Sequence, residues 1–146
     1  MSEHLTLEKQ LCFRLYSLNK NLTKLYSPLL KKMGLTYPQY LVMLALWQVE
    51  QAVPIKKLCQ QLDLDTGTLS PLLKRMEQSD LLTRERSRED ERSVNIQLTP
   101  HGRELKTQAA QIPETMCALM GLSINEIQSL QQTLDNMLAT TKAKLK

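Results

Sequence analysis

Aromatic residues are scarce in this 146-residue chain: four tyrosines, one tryptophan and one phenylalanine, 4% in all. Leucine and methionine must therefore build most of a core, and the length suffices for one domain. No apolar run approaches the roughly 20 residues that a membrane-spanning helix needs. The opening MSEHLTLEKQ lacks the basic start and apolar stretch of a secretory signal. A cytoplasmic protein that does not enter the membrane is expected. Three cysteines, an odd number with no CxxC pair, do not make a disulfide framework. With two histidines and no His/Cys cluster at ligand spacing, neither a metal nor a cofactor is expected. There is no internal repeat, low-complexity segment or linker. The formal charge of +4 permits an anionic partner without demonstrating one.

What is present is mainly helical. Leucines at 7, 11, 15, 18, 22, 25 and 29 recur every three or four residues, which predicts an amphipathic helix from about Thr6 to Leu30. Gly34 can close it in the left-handed conformation. Thr36, Pro38 and Gln39 read as cap, first turn and capping box of a second helix. Its run Tyr40, Leu41, Met43, Leu44, Leu46, Trp47 is apolar on most sides, so it is expected at the centre of the fold. A short helix follows, with Ile55, Leu58, Cys59 and Leu62 inward. Another begins after an Asp65 N-cap, its inward face made by Leu69, Leu72, Leu73 and Met76, with Pro71 expected in its first turns. The period then changes. Val94, Ile96 and Leu98 alternate with Asn95 and Gln97, and a charged tip separates this strand from LLTRER: a β-hairpin. Thr99 and Pro100 open a helix expected to run past Gln111, with a kink at Pro113. Ser123 and Glu126 form the capping box of the last helix, whose stripe is Ile127, Leu130, Leu134, Met137 and Leu138.

Short helix, tight turn, second helix and hairpin make a winged helix-turn-helix, so the expected fold is mainly α with a small β-hairpin wing, one domain over 1–146. The winged part is expected at about 53–99, and the long helices at about 6–35 and 100–146 as dimerisation elements. Their leucine stripes must bury against something, and a second copy of the chain is the economical answer. Thr66, Thr68 and Ser70 at the start of the second helix can approach bases and phosphates closely, and the positive end of the helix dipole favours phosphate. Lys74 and Arg75, two turns on, could reach the DNA backbone or a guanine. At the hairpin tip, RERSREDERS groups Arg84, Arg86, Arg88 and Arg92 around one turn, suited to a narrow minor groove, with Asp90 placed to hold a guanidinium. The bland reading, a solvated helix face and a charged turn, stands beside this one. For Cys12, beside the leucine stripe, the bland reading is a small buried filler.

DERSVNIQLTPHGREL resembles the wing signature of MarR-family transcriptional regulators, Asp-x-Arg followed by a strand and Leu-Thr-x-x-Gly. LCFRLYS, GLTYPQYLVML and GTLSPLLKRME resemble the branch of organic-hydroperoxide-responsive repressors, the OhrR branch. The likeness runs from about Leu11 to Leu105. It implies a homodimeric repressor on a pseudo-palindromic double-stranded operator, an organic hydroperoxide as inducer, and a redox-sensing cysteine that falls on Cys12. It also implies a thiolate pocket of Tyr26 and Tyr37, with Tyr16 lining it. Cys117, in PETMCALMG, resembles the resolving cysteine of the two-cysteine members, whereas Cys59 reads as packing. One departure is Asp63, where the family often has an aromatic residue; it puts a negative charge near the expected DNA face. His101 reads as surface.

Spacing adds an independent constraint. Cys12 and Tyr16 share a helical face, but Tyr26 lies 14 residues beyond Cys12, about 21 Å of rise in an unbroken helix. A Tyr26 that touches the sensor thiol must come from the other subunit. Two rival readings remain: a MarR-type regulator of a small aromatic ligand with Cys12 incidental, and a thiol peroxidase. Against the enzyme, no arginine or helix N-terminus is placed to activate Cys12, and a DNA-reading module is present.

Overall fold

The computed structural model describes residues 2–145. The chain forms two compact units, one ending at Ala110 and the other beginning at Gln111. The first holds α1 (Leu11–Lys31), α2 (Tyr37–Trp47), β1 (Val53–Pro54), α3 (Ile55–Leu62), α4 (Thr66–Gln78), β2 (Leu82–Arg86), β3 (Val94–Leu98) and α5 (Pro100–Ala109); the second holds α6 (Ile112–Met120) and α7 (Ile124–Lys144). Among the described residues no helix is long and apolar enough to cross a membrane.

Local chemistry sets most boundaries. Gly34, at φ +71, lets the chain turn after α1, and the Leu35 N–H returns to the Leu30 carbonyl at 3.1 Å. Thr36 and Gln39 exchange the two hydrogen bonds of a capping box, as do Ser123 and Glu126 at α7. Asp65 caps α4 by accepting the Thr68 N–H at 2.7 Å, and Thr99 caps α5 by accepting that of Gly102 at 3.0 Å. Asp63 ends α3 at φ 55, a left-handed position that a short polar side chain tolerates, which gives it a local role in the turn.

Leu58, Leu69, Leu73, Met76, Leu82 and Ile96 are fully buried where α3, α4 and the sheet meet, each worth about 1.5–3 kcal/mol over exposure. The α2 face of Tyr40, Val42, Met43 and Leu46 is buried as well.

Four expectations are corrected. α1 begins at Leu11, not Thr6: Leu7–Lys9 is a 3-10 turn, and the Gln10 side chain donates to the carbonyls of His4 and Thr6. Pro71 sits deeper than the first turn of α4, where its missing N–H leaves the Gly67 carbonyl without its helical donor. The sheet has three strands in the order β1-β3-β2, since Val53 and Pro54 pair antiparallel with Ile96 and Asn95. Finally, α5 stops at Ala109 and α6 starts anew with Pro113 in its first turn: a proline ring collides with the carbonyl four residues back, so a break replaces the kink.

The corner where α4, β2 and α5 meet is tight. Thr99 donates its hydroxyl to the Asp80 carbonyl at 2.6 Å and its N–H to that of Leu81 at 3.1 Å. A Cβ on Gly102 would overlap the Leu81 carbonyl oxygen and crowd Leu98. Gly102→Ala should therefore destabilise by about 1–3 kcal/mol, read as a lowered urea midpoint; an unchanged midpoint would show that the corner can open.

Candidate nucleic-acid interface and thiol pocket

α3, the Asp63-Leu64-Asp65 turn and α4 form the helix-turn-helix. On α4, Thr66, Thr68, Lys74 and Arg75 are exposed and Ser70 is half-buried. Ser70, Lys74 and Arg75 face away from Leu69, Leu72, Leu73 and Met76, and Thr66 and Thr68 flank that apolar face at the exposed start of the helix. Sequence reasoning passed over Lys56 and Lys57, both exposed on α3. Adjacent lysines at the start of the first helix of such a motif were the available signal.

β2 and β3 pair from Leu82↔Leu98 to Arg86↔Val94, and the tip between them is tied internally. Ser87 donates its N–H to the Ser93 carbonyl at 2.8 Å, and its hydroxyl accepts the N–H groups of Glu89 and Asp90. Arg86 donates to the Glu91 carbonyl at 2.9 Å. The Asp90 carboxylate accepts the Arg92 backbone N–H at 3.0 Å, which corrects the expected contact with a guanidinium. Asp90 shapes the turn, and the exposed guanidiniums of Arg88 and Arg92 make no hydrogen bond or ion pair within the described residues. Arg84 is turned inward: its guanidinium meets Glu77 Oε1 at 3.1 and 3.2 Å, and its N–H donates to Glu77 Oε2 at 2.9 Å. This clamp joins the last turn of α4 to the base of the wing.

The second cluster is aromatic. Tyr26 on α1 and Tyr37 on α2 have ring centroids 4.9 Å apart, and Tyr40 lies 5.7 Å from Tyr26 and 6.4 Å from Tyr37. Tyr40, absent from the sequence-based set, is three residues from Tyr37 and so on the same helical face; burial, and then Tyr37, push its phenol pKa up. An open cavity of about 510 Å³ runs beside Tyr37 along Thr23, Ser27, Lys31 and Leu35.

Cys12 is not in this cluster. It is exposed on the first turn of α1, which begins at Leu11 and continues unbroken past Tyr26, so a helix N-terminus does lie at this thiol, contrary to the expectation from sequence. Tyr16 is also exposed, with the Lys20 ammonium 5.2 Å from its ring centre. Leu11, Leu18 and Leu25 are 56%, 46% and 36% exposed, and Leu30 alone on α1 is buried. α7 has no buried residue, and its Leu130 and Leu138 are exposed. Cys117 is half-buried on α6 in the second unit. Half-buried Cys59 places its sulfur 3.7 Å from the Thr66 hydroxyl, at the start of α4.

Residues 24–109 match the family described as transcriptional regulator SarA/Rot. The chain is 49% identical over 142 residues to the organic hydroperoxide resistance transcriptional regulator of Bacillus subtilis (strain 168), covering 97% of this chain and 96% of that one. It is similar to reduced AbfR bound to DNA, a Staphylococcus epidermidis protein, with a TM-score of 0.79 and 33% identity over 96% of this chain and 97% of that one. The disulfide-formed AbfR structure matches with a TM-score of 0.61 and 35% identity over 94% and 96% of the two chains.

The Glu77–Arg84 clamp sets a pH dependence. Donation from the Arg84 backbone N–H, and further the guanidinium pair, hold the Glu77 carboxyl below its ordinary value of 4.5, against a smaller opposing effect of desolvation. A depressed carboxyl stabilises the fold above its unfolded pKa and loses that contribution as pH falls through the folded one. Asp65 and Glu126, lowered by their capping bonds to Thr68 and Ser123, act with the same sign. Glu77→Gln should be less stable than wild type near neutrality, with the difference shrinking as pH falls below the ordinary carboxyl value of 4.5 and lost once the folded carboxyl is protonated. Parallel curves of urea midpoint against pH would remove the clamp's carboxylate from the account.

Proposed function

The chain belongs to the SarA/Rot family of MarR-like winged-helix transcriptional regulators, and from that premise we propose that it is a homodimeric repressor that releases its operator when an organic hydroperoxide oxidises Cys12. The observation that carries the proposal is the separation of Cys12 from an already assembled tyrosine pair along one unbroken helix bearing an exposed leucine stripe. A second chain packed on that stripe covers the leucines. It also brings its own Tyr26 and Tyr37 to the thiol. The names of the relatives, a hydroperoxide resistance regulator and a DNA-bound AbfR, support the same reading.

On DNA, Thr66, Thr68 and Ser70 approach base edges and phosphates at the positive end of α4. Lys74 and Arg75 reach the backbone or a guanine, and Lys56 and Lys57 neutralise phosphates where α3 crosses the strand. The wing presents Arg92 to the minor groove on a turn held by Asp90 and Arg86. Two-fold symmetry places the paired α4 helices in successive major grooves, about 34–36 Å apart.

The sensor step follows from thiol chemistry. Phenol donors from Tyr26 and Tyr37 of the second chain, with Tyr16, stabilise the Cys12 thiolate without a formal positive charge. The sulfur attacks the terminal peroxide oxygen, the O–O bond breaks, and the alkoxide leaves and takes up a proton as the alcohol. Cys12 is then a sulfenic acid. Its condensation with the Cys117 thiol of the second chain forms the S–S bond and releases water. The Cα atoms must approach to within about 7 Å for this, so the helices move, and the spacing of the recognition helices no longer fits the operator.

An operator gel shift with and without cumene hydroperoxide, run beside a non-reducing gel, tests the reading. Wild type should release DNA and form a covalent dimer. Cys12→Ser should stay bound, and Cys117→Ser should lose the covalent dimer. Release of DNA by Cys12→Ser would overturn Cys12 as sensor.

A further inference from the structure

The tyrosine pair does not end at the pocket. Tyr37, Tyr40 and Trp47 are separated by steps of three and seven residues, which return to nearly the same side of a helix, and they span about 15 Å of the α2 axis. Their rings touch in sequence: Tyr26 against Tyr37 and Tyr40, then Tyr40 edge-on to Trp47 with centroids 6.4 Å apart at 68°. Tyr40 is 3% exposed, so the middle of this column cannot move without displacing its neighbours.

The column ends on a hydrogen bond. Trp47 donates its Nε1–H to the Gly102 carbonyl at 2.9 Å, across 55 residues of sequence. The other side of Gly102 rests on the Leu81 carbonyl so closely that no side chain fits. Leu81 is itself shared: its N–H donates to the Met76 carbonyl of α4 at 3.0 Å, its carbonyl accepts the Thr99 N–H, and Leu82 begins the wing. Arg103 draws the same corner toward the loop after α2, donating to the Glu50 carbonyl at 2.8 Å. One residue, Leu81, thus anchors the end of the recognition helix, the root of the wing and the start of α5. The indole N–H reaches it through a single residue.

We propose that Trp47 is the positioning residue through which a change at the Tyr26–Tyr37 pocket reaches the DNA-reading elements. A displaced Tyr37 ring moves Tyr40 and Trp47 as a stack, and the indole hydrogen bond carries that movement to the Leu81 joint. This rests on the sensing reading above and adds to it a physical link between pocket and wing.

Trp47 is the chain's single tryptophan, so its emission reports this ring alone. In wild type, emission should shift in step with operator release on addition of cumene hydroperoxide, and should not shift in Cys12→Ser. Trp47→Phe keeps the ring contact and removes the donor. Its Cys12 should be consumed at the wild-type rate and its reduced form should bind operator within a few-fold of wild type. The peroxide-induced loss of affinity should shrink by about tenfold, the size of an ordinary allosteric coupling. If Trp47→Phe releases operator as wild type does, or if wild-type emission stays still while DNA is released, the relay is overturned and sensing stands. If wild type keeps its operator with Cys12 oxidised, the sensing reading is overturned and the relay with it. Should the variant fail to fold, the wild-type emission decides.

Discussion

An α-helix holds residues 14 apart at a separation of about 21 Å, and no rotamer closes that distance. α1 runs without interruption from Leu11 to Lys31, with Cys12 at one end and Tyr26 toward the other. Its single proline, Pro28, lies beyond both. The proposed sensor site follows from this rigidity. A thiol that reacts beside Tyr26 must borrow that tyrosine from another chain, and the exposed leucines between the two positions are the surface on which another chain would sit. Dimerisation and sensing then stop being separable properties, because whatever perturbs the thiol pocket perturbs the packing of the helices that make it.

The DNA-reading half is organised by a second constraint, the absence of a side chain at Gly102. That gap lets α5 begin directly on the Leu81 carbonyl, where α4 ends and the wing begins. The Glu77–Arg84 clamp repeats the connection a few residues away. Recognition helix and wing are thus one rigid reading head, and the aromatic column along α2 is its contact with the tyrosine pocket. A repressor needs this arrangement: a head stiff enough to hold a DNA register, mounted so that a small movement at its base spoils that register.

What was legible in the sequence was local. Thr36 with Gln39, Ser123 with Glu126, Asp65 and Thr99 announced their helices because a cap and its partner lie three residues apart. The hairpin was legible because alternation at Val94, Ile96 and Leu98 is a property of the segment itself. What escaped depends on distant partners. Two residues, Val53 and Pro54, carry no periodicity and become a strand only by pairing with β3. Arg84 looks like its neighbours Arg86 and Arg88 until Glu77 is seen beneath it. Cys12, Tyr16, Tyr26 and Tyr37 as a candidate thiol pocket are legible only through resemblance and spacing, and the stacking of Tyr40 and Trp47 with the Tyr26–Tyr37 pair is visible only in the fold.

The claim at the centre of this account is that each sensor site is shared between two chains. Mixed dimers test it directly: one chain carries Tyr26→Phe with Cys12 intact, the other Cys12→Ser with Tyr26 intact. The rate of Cys12 oxidation by cumene hydroperoxide is then compared with that of the Tyr26→Phe homodimer. A shared site restores one complete Cys12–Tyr26 pair, so the mixed dimer should react at the wild-type rate per thiol. A mixed dimer no faster than the Tyr26→Phe homodimer would contradict the account.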